Sequence, residues 1–430
     1  MLIKKILKNQ FFKVLSYNSI IILGKVITSF VVSKVSAIYL GPSGFALVGN
    51  FKNLFQGVLG ITSSGFESGV IRHIAESKNK KEEYASIIST VFALSTLIAL
   101  FIAPFIYIFS ETLSISILKE NSYAFVFKYF AFLLPIISFN FLLFFIINGL
   151  QRFKLFTQVS ILLNVLNAVL TFVLIHFYNL KGALIVSLLV PVLCLAISFF
   201  LKETREIIYY QLFSLKNVSI KIIKSLSVYV SMAIYSAVLI SITYLLLRNS
   251  IIKNVDIETA GLWEAMNKIS TFYMIFFSSL FTLYLLPKLS LNKTINGYNT
   301  IMFDYFKFII PLMITLFVVC YILRIFIIKL FLTDDFLEIK DFFYLQMIGD
   351  FLRVIAFSFA YQFHAKKMVA SYFISDAILY ITFYMLSIYL LNDFNIQGVY
   401  YAYIVSALLY LISVSLFVFF NRNKYLKKNV

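Results

Sequence analysis

The chain has 430 residues, of which 61% are hydrophobic and only 13% are charged. So few charges cannot cover the surface of a water-soluble protein of this length, and the mean hydropathy of +0.93 is typical of a polytopic membrane protein. The net charge of +18 does not indicate a nucleic-acid binder, because the excess lies in short loops between apolar segments. The cysteines and histidines show no disulfide or metal-ligand spacing, so no metal or cofactor is expected.

Twelve apolar segments are long enough to cross a bilayer, since a spanning helix needs roughly 20 apolar residues. Short polar turns, such as the one at 41–44, separate them, and no gap is long enough for a soluble domain. The sequence therefore predicts an all-α polytopic fold, with spans at 14–40, 44–71, 84–109, 122–149, 155–178, 182–201, 222–247, 259–287, 300–328, 340–363, 368–391 and 396–420.

The longest basic connection follows the sixth span and divides the chain into two halves. It covers 202–221, and its alternating apolar and basic residues indicate either an interfacial amphipathic helix or a plain cytoplasmic loop. We predict an N-terminal six-helix lobe at 1–201, a C-terminal six-helix lobe at 222–420 and a basic tail at 421–430. A glycine followed six residues later by an asparagine occurs in both halves and indicates a weak parallel repeat: Gly44 with Asn50, and Gly261 with Asn267.

The basic loops predict the orientation of the chain. If the N-terminus is cytoplasmic, most lysines and arginines of the loops lie on the cytoplasmic side, and the even number of spans places both termini there. The few basic residues expected on the opposite side are Lys119, Lys181, Arg248, Lys253, Arg324, Lys329 and Lys340.

Seven lysines and arginines lie inside the predicted spans, where a charge that faces lipid is costly. Lys128 and Lys307 are close to span ends and can reach the interface. The other five predict a hydrated, positively charged chamber that favours an anionic cargo: Lys25, Lys34, Lys52, Lys268 and Arg353.

The first span presents a geometric conflict. Lys25 and Lys34 point to opposite faces of a straight helix, so either one of them packs against a neighbouring helix or the span bends. Both the close helix contacts and the bending are favoured by small residues. The glycines at positions 24, 57, 60 and 65 are such residues in the first two predicted spans.

Polar side chains also recur on single faces of later spans. A spacing of 100° per residue places Lys52 and Gln56 on one face of the second span. Asn50 and Asn53 flank that face, and Asn140 lies inside the fourth span. Asparagine, glutamine and lysine can donate hydrogen bonds to sugar hydroxyls and phosphate oxygens, so these residues are candidate contacts for a cargo.

Two further stripes lie in the second half. Glu264, Asn267 and Lys268 share a face of the eighth span, and Asp350 and Arg353 line up on the tenth. These stripes either face one another across a central cleft or neutralise themselves, because oppositely charged residues three or four positions apart can pair on one helix.

Intramembrane acids are candidates for ion coupling. A carboxylate held in a low-dielectric site keeps its charge at a cost and can exchange a proton. The alternative for each is a hydrogen bond that joins two helices. The four acids are Glu67, Glu264, Asp350 and Asp376.

An enzyme is less well supported than a transporter. No local pattern indicates a catalytic triad, a metal site or a phosphate-binding loop. The main enzyme alternative is a membrane polymerase of polysaccharides. The longest predicted outer segment, about 329–340, is too short for the large loop that such enzymes usually carry.

Four runs of residues resemble a known family. They are "SFVVSKVSAIYLGPSGFALVGNFKNLFQGVLGI", "AGLWEAMNKIS", "YLLPKLS" and "YLQMIGDFLRV". Together they resemble the Wzx-type O-antigen translocases, especially the lipid III flippases, within the multidrug/oligosaccharidyl-lipid/polysaccharide exporter (MOP) superfamily. This resemblance implies two six-helix lobes that form a V, and a cleft that opens alternately to each side of the bacterial inner membrane.

The resemblance also implies the cargo and the partners. The cargo is an undecaprenyl-pyrophosphate-linked oligosaccharide, which moves from the cytoplasmic to the periplasmic leaflet; membrane lipid, a polysaccharide polymerase and a chain-length regulator are the other implied partners. Lys25, Lys34 and Lys52 stand where similar flippases have basic residues, and Asp350 and Arg353 stand in a comparable stretch.

A cation-coupled multidrug exporter of the same superfamily is the second hypothesis for function. Its cargo is often cationic, so its chamber would favour acids. The excess of lysine and arginine inside the predicted spans favours the flippase instead.

Overall fold

The computed structural model describes residues 10–77, 81–209 and 218–425. Within those ranges every regular element is helical, and eight helices are long and apolar enough to cross a membrane. The chain is therefore a multi-pass membrane protein, and the predicted all-α fold class is confirmed.

The described ranges contain α-helices joined by short 3₁₀ turns and, at Phe281–Leu285, by one turn of π-helix. In chain order the helices are α1 (Gln10–Thr62), α2 (Glu67–Ser77), α3 (Lys81–Ile108), α4 (Ser110–Leu118), α5 (Ala124–Gly149), α6 (Phe153–Ser198), α7 (Lys202–Tyr209), α8 (Ile220–Asn254), α9 (Ile257–Leu280), α10 (Leu286–Leu291), α11 (Ile295–Ile322), α12 (Arg324–Phe331), α13 (Phe343–Lys366) and α14 (Val369–Tyr425).

Three long helices each join two predicted spans, in whole or in part, at a single residue with non-helical backbone angles. The interruption lies at Gly41 in α1, where φ is 61°, at Asn179 in α6 and at Asn395 in α14. Glycine adopts positive φ without steric cost, and asparagine does so more often than other residues with a side chain. A single residue thus provides the reversal that the sequence predicts as a short turn.

The turns in α6 and α14 are alike, and they are the clearest repeat in the described part of the chain. Asn179 has φ 47° and ψ −127°, and Asn395 has φ 49° and ψ −140°. Three residues after each asparagine comes a glycine: a Cβ on Gly182 would lie 1.9 Å from the carbonyl oxygen of Leu174, and one on Gly398 would lie 2.3 Å from that of Leu390. The shared N-x-x-G pattern equates the fifth and sixth spans with the eleventh and twelfth.

Several predicted span boundaries are wrong. The second predicted span, 44–71, is not one helix: α1 ends at Thr62, and a 3₁₀ turn leads into α2, which begins at Glu67. The ninth is interrupted at Leu323, between α11 and α12. The seventh is longer than predicted, because α8 continues to Asn254.

The predicted linker and tail are described only in part. Helix α7 covers the start of the linker, with Thr204 and Ile207 buried, and residues 210–217 lie outside the described residues. Helix α14 extends into the predicted basic tail, whose last residues, 426–430, also lie outside. The lobe boundaries and the orientation of the termini stay predictions.

The chain divides into two compact units. The N-terminal unit comprises Met1–Leu40 and Leu47–Ser241, and the C-terminal unit comprises Gly41–Ala46 and Ile242–Val430. The division between them falls inside α8, so this helix contributes to both. In the N-terminal unit α5 is central: Leu142 and Ile146 are fully buried and belong to one core with Ile88 and Val91 of α3.

Small residues bring helices of the N-terminal unit into close contact, as the glycine positions predict. A Cβ on Gly60 would lie 2.4 Å from the Cβ of Ala237, and one on Gly57 would lie 2.9 Å from that of Ser241. Lipid tails are as apolar as leucine, so close packing rather than the hydrophobic effect holds such helices together. The α1–α8 contact therefore depends on the absence of side chains at these two positions.

Candidate functional site

A cavity of about 550 Å³ lies within the N-terminal unit. Helices α1, α5, α6 and α8 form its wall, and most of the lining is apolar. Cavities of roughly 300–1,000 Å³ with a few convergent polar groups are typical of small-molecule sites. The polar residues of the lining are Ser36, Lys52, Gln56, Ser64, Asn167, Thr171, Ser187 and Ser241.

Lys52 gives the cavity its charge. It is the only charged residue among the described residues that line the cavity, and it is half-buried. Gln56 lies one helical turn further along α1 in the same lining. The predicted stripe of Lys52 and Gln56 thus lines one cavity, where an ammonium group can bind an anion.

The other predicted residues of the first half do not line this cavity. Lys25 is exposed, Lys34 and Asn53 are half-buried, and Asn50 and Asn140 are fully buried. The amide of Asn50 donates a hydrogen bond to the carbonyl oxygen of Ile117 at 3.0 Å, which joins α1 to α4.

Asn140 is a different case. Its side chain is fully buried in α5, and neither amide atom has a hydrogen-bond partner among the described residues. Burying an amide in this way costs free energy unless water or a ligand satisfies it.

Glu67 is exposed at the start of α2, and the ammonium of Lys25 is close enough to act on its carboxylate electrostatically.

Asn167, Thr171 and Ser187 of α6 are cavity residues that the sequence reasoning missed. The hydroxyl of Thr171 donates to the Asn167 side-chain oxygen at 3.3 Å, which leaves the amide NH₂ group of Asn167 as the donor. The i, i+4 spacing of Asn167 and Thr171 within an apolar span was a visible signal. This span carries no lysine, arginine or acid, and so it lacked the charge that marked the other predicted cavity segments.

The acid Asp350 occupies a cage of hydrogen-bond donors in the C-terminal unit. It is buried, and its carboxylate accepts from the Ser270 hydroxyl at 2.7 Å, from the Tyr403 hydroxyl at 2.5 Å, from the Tyr273 hydroxyl and from the Gln346 amide at 3.3 Å. With this many donors, the carboxylate oxygens have their hydrogen-bonding capacity satisfied within the protein.

Arg353 is held by tyrosines. Its guanidinium donates to the hydroxyl groups of Tyr403 at 3.0 Å, Tyr380 at 3.4 Å and Tyr244 at 3.5 Å. Tyr403 therefore joins Arg353 to Asp350, since its hydroxyl also donates to that carboxylate. The pair is linked through a third residue, an arrangement that neither of the alternatives from the sequence foresaw.

The remaining acids of the C-terminal unit also have partners. Asp376 is buried and accepts from the Tyr410 hydroxyl at 3.4 Å. Glu264 forms an ion pair with Arg248 rather than with Lys268, which was one of the two alternatives for this stripe. Arg248, predicted to lie beyond the end of the seventh span, instead lies within α8 and is fully buried.

Asn267 and Lys268, the other predicted residues of α9, are half-buried. The Asn267 amide donates to the Trp263 carbonyl oxygen at 2.8 Å, one turn earlier on the same helix. Within the described residues, no group of three or more histidine, cysteine, aspartate and glutamate side chains could hold a metal ion.

The chain is similar to curated proteins named lipid III flippase. Those of Escherichia coli (strain K12) and Shigella flexneri are each 25% identical to it over 394 residues, which cover 90% of this chain and 92% of each relative. No protein-family model matches the chain.

Solved structures show the same fold. An inward-facing multidrug resistance MATE family transporter of the MOP superfamily has a TM-score of 0.77 at 15% identity, covering 93% of this chain and 94% of that one. An outward-facing structure has a TM-score of 0.63 at 14% identity, covering 94% and 95%. A MOP superfamily transporter from Pyrococcus furiosus, described as having a binding pocket of reversed polarity, has a TM-score of 0.62 at 15% identity, covering 94% and 95%.

These similarities confirm the resemblance that the sequence motifs indicated. The fold is that of the MATE transporters of the MOP superfamily, and the curated relatives at 25% identity are flippases.

Proposed function

We propose that the protein is a flippase for a polyprenyl-pyrophosphate-linked oligosaccharide, which it moves from the cytoplasmic to the periplasmic leaflet of the bacterial inner membrane. The observation that carries the proposal is the cavity of the N-terminal unit, whose one charge among the described lining residues is the cation Lys52. The relatives named lipid III flippase support the same class of cargo.

The chemistry of the lining fits the head group of such a cargo. The obstacle to transfer is the desolvation of a pyrophosphate and its sugars in hydrocarbon. The ammonium of Lys52 offsets phosphate charge, and the side chains of Gln56, Asn167 and Ser187 can bond to sugar hydroxyls. The apolar part of the lining does not compete for these hydrogen bonds.

The polyprenyl tail needs no polar path, because it remains soluble in lipid while the head group crosses. Alternating access to the two sides is the mechanism we propose, as in other transporters built from repeats. The repeated N-x-x-G turns at Asn179 and Asn395 support this, since they identify equivalent helices in the two halves.

The second candidate is a multidrug exporter, which the MATE transporters among the structural neighbours favour. A cationic drug in the cavity would meet the ammonium of Lys52 at close range. Like charges about 4 Å apart repel by about 4 kcal/mol at an effective dielectric constant of about 20. The sign of the charge in the lining therefore favours an anionic cargo.

One reconstitution experiment separates the candidates. Purified protein is placed in proteoliposomes with a fluorescent polyprenyl-pyrophosphate-linked oligosaccharide, and transfer between leaflets is followed by quenching from outside. We expect transfer that depends on the protein, with no lengthening of the glycan and no efflux of a cationic dye in parallel vesicles. Dye efflux without leaflet transfer would identify a multidrug exporter, and glycan lengthening a polymerase; either result refutes the proposed function.

A further inference from the structure

A fully buried arginine and a carboxylate form a close ion pair in the C-terminal unit. The guanidinium of Arg248 on α8 contacts the Oε2 atom of Glu264 on α9. The guanidinium also lies over the indole of Trp263, 5.4 Å from the ring centroid, and that indole stacks on Tyr244 with centroids 5.4 Å apart. Aromatic rings and a carboxylate thus hold Arg248 in one place.

A second cation lies close to the same carboxylate. Lys268 follows Glu264 by one helical turn, and the carboxylate acts on its ammonium electrostatically. In an isolated helix this i, i+4 spacing favours an ion pair between glutamate and lysine. The structure instead directs Glu264 to Arg248, with 20% of the glutamate side chain exposed.

The three side chains carry a net charge of +1, because two cations share one carboxylate. The close contact is between Arg248 and Glu264, so the surplus charge lies on Lys268, which is half-buried. A surplus cation in a membrane span is costly unless an anion or water satisfies it. The ion pair with Arg248 thus fixes the Glu264 carboxylate, and the ammonium of Lys268 can interact with an anion.

We propose that Arg248 is a positioning residue, which holds Glu264 away from Lys268 so that the lysine can bind a phosphate group of the cargo. This inference rests on the proposed function and assigns to the C-terminal unit a cation that binds a phosphate group. Arg248 itself does not contact the cargo; it acts through Glu264.

The proposal makes a distinct prediction for a variant without the guanidinium. In Arg248→Gln the carboxylate of Glu264 loses its buried partner, and an unpaired charge in such a site seeks another. Lys268 is one turn away, so the i, i+4 pair forms and neutralises the lysine. We expect the affinity for pyrophosphate to fall about tenfold, which corresponds to about 1.4 kcal/mol.

The chain contains its own reporter for this experiment. Trp263 is the single tryptophan of the sequence; it directly precedes Glu264 on α9, and its ring lies under the guanidinium of Arg248. Inorganic pyrophosphate is titrated into the full-length protein in detergent, with inorganic sulfate as the control anion, and tryptophan fluorescence is recorded. Size-exclusion chromatography and thermal unfolding identify variants that do not fold.

A set of variants separates positioning from a structural role. Lys268→Gln and Arg248→Gln should each weaken pyrophosphate binding about tenfold, and the two together should be no weaker than Lys268→Gln alone. Adding Glu264→Gln to Arg248→Gln should restore binding to within about threefold, because the carboxylate that captures the lysine is gone. Arg248→Lys keeps the ion pair and should bind as the unaltered protein does.

The opposite results would overturn the proposal. They are unaltered binding in Arg248→Gln, a further loss when it is added to Lys268→Gln, no rescue by Glu264→Gln, or no response of the unaltered protein to pyrophosphate. Leaflet transfer is measured on the same variants to keep the two claims apart. If the binding pattern holds but no lipid-linked oligosaccharide is transferred, the proposed function fails; if transfer occurs and Arg248→Gln leaves it unchanged, only the positioning role fails.

Discussion

Replacing Lys52 with alanine tests the chemistry of the cavity most directly. Lys52 is the one charge among the described lining residues, so Lys52→Ala leaves a neutral cavity of similar shape. An ammonium and a phosphate oxygen about 4 Å apart attract by about 4 kcal/mol at an effective dielectric constant of about 20. Because Lys52 is half-buried, water in the cavity screens roughly half of this.

We therefore expect Lys52→Ala to weaken the apparent affinity for lipid-linked oligosaccharide by about 2 kcal/mol, or about thirtyfold. The assay is the initial rate of leaflet transfer in proteoliposomes over a range of substrate concentrations. Lys52→Arg keeps the charge and should stay within about threefold. The rate at saturating substrate should change less than the concentration at half-maximal rate, since binding is the step that loses energy.

Lys307→Ala is the matched control, because it removes a lysine that lies in a span of α11, is exposed and does not line this cavity. It should transfer cargo as the unaltered protein does. Normal transfer by Lys52→Ala below half-saturation, from protein with unaltered thermal unfolding, would refute the assignment of Lys52 to the head group. An equal loss in Lys307→Ala would refute it as well, since the effect would then be one of net charge.

Three further variants test the fold and the rest of the site. Tyr403→Phe removes the hydroxyl that joins Asp350 to Arg353, and should lower stability by about 1–3 kcal/mol, measured as a lower midpoint of thermal unfolding in detergent; an unchanged midpoint would contradict this link. Gly182→Ala places a Cβ against a backbone carbonyl and should reduce the yield of folded protein severalfold on size-exclusion chromatography, whereas a normal yield would show that the turn can relax. Asn167→Ala removes a polar group from the cavity lining and should slow transfer several-fold with unaltered folding; if transfer does not slow, this amide does not contact the cargo.

The helical architecture was largely readable from the sequence. Apolar segments of sufficient length must become helices in a bilayer, since only helices and closed barrels satisfy every backbone group there. The predicted segments accordingly lie in helices of the described ranges, with errors at the ends. The break after Thr62 was missed, although the residues that follow it, Ser63, Ser64, Gly65, Phe66 and Glu67, are mostly small or polar.

The candidate site was readable only in part. Lys52 and Gln56 were predicted together and line one cavity, but Asn50, which belongs to the same predicted group, bonds to the backbone of α4 instead. A helical wheel orders residues around one helix and contains no information about which neighbour each face meets. Asn167 of α6 was missed because its span carries no charge that would have marked it as a cavity segment.

Composition and the pattern of charges thus determined by themselves that this is a polytopic helical membrane protein with cations in its spans. Those properties depend on the free energy of transferring each segment from water to lipid, which does not require contacts with other helices. Only the tertiary structure decided which charges pair. Glu264 meets Arg248 from another helix rather than Lys268 from its own turn, and Asp350 reaches Arg353 through Tyr403. Contacts between helices depend on packing over the whole fold, and the spacing of residues along one segment does not specify them.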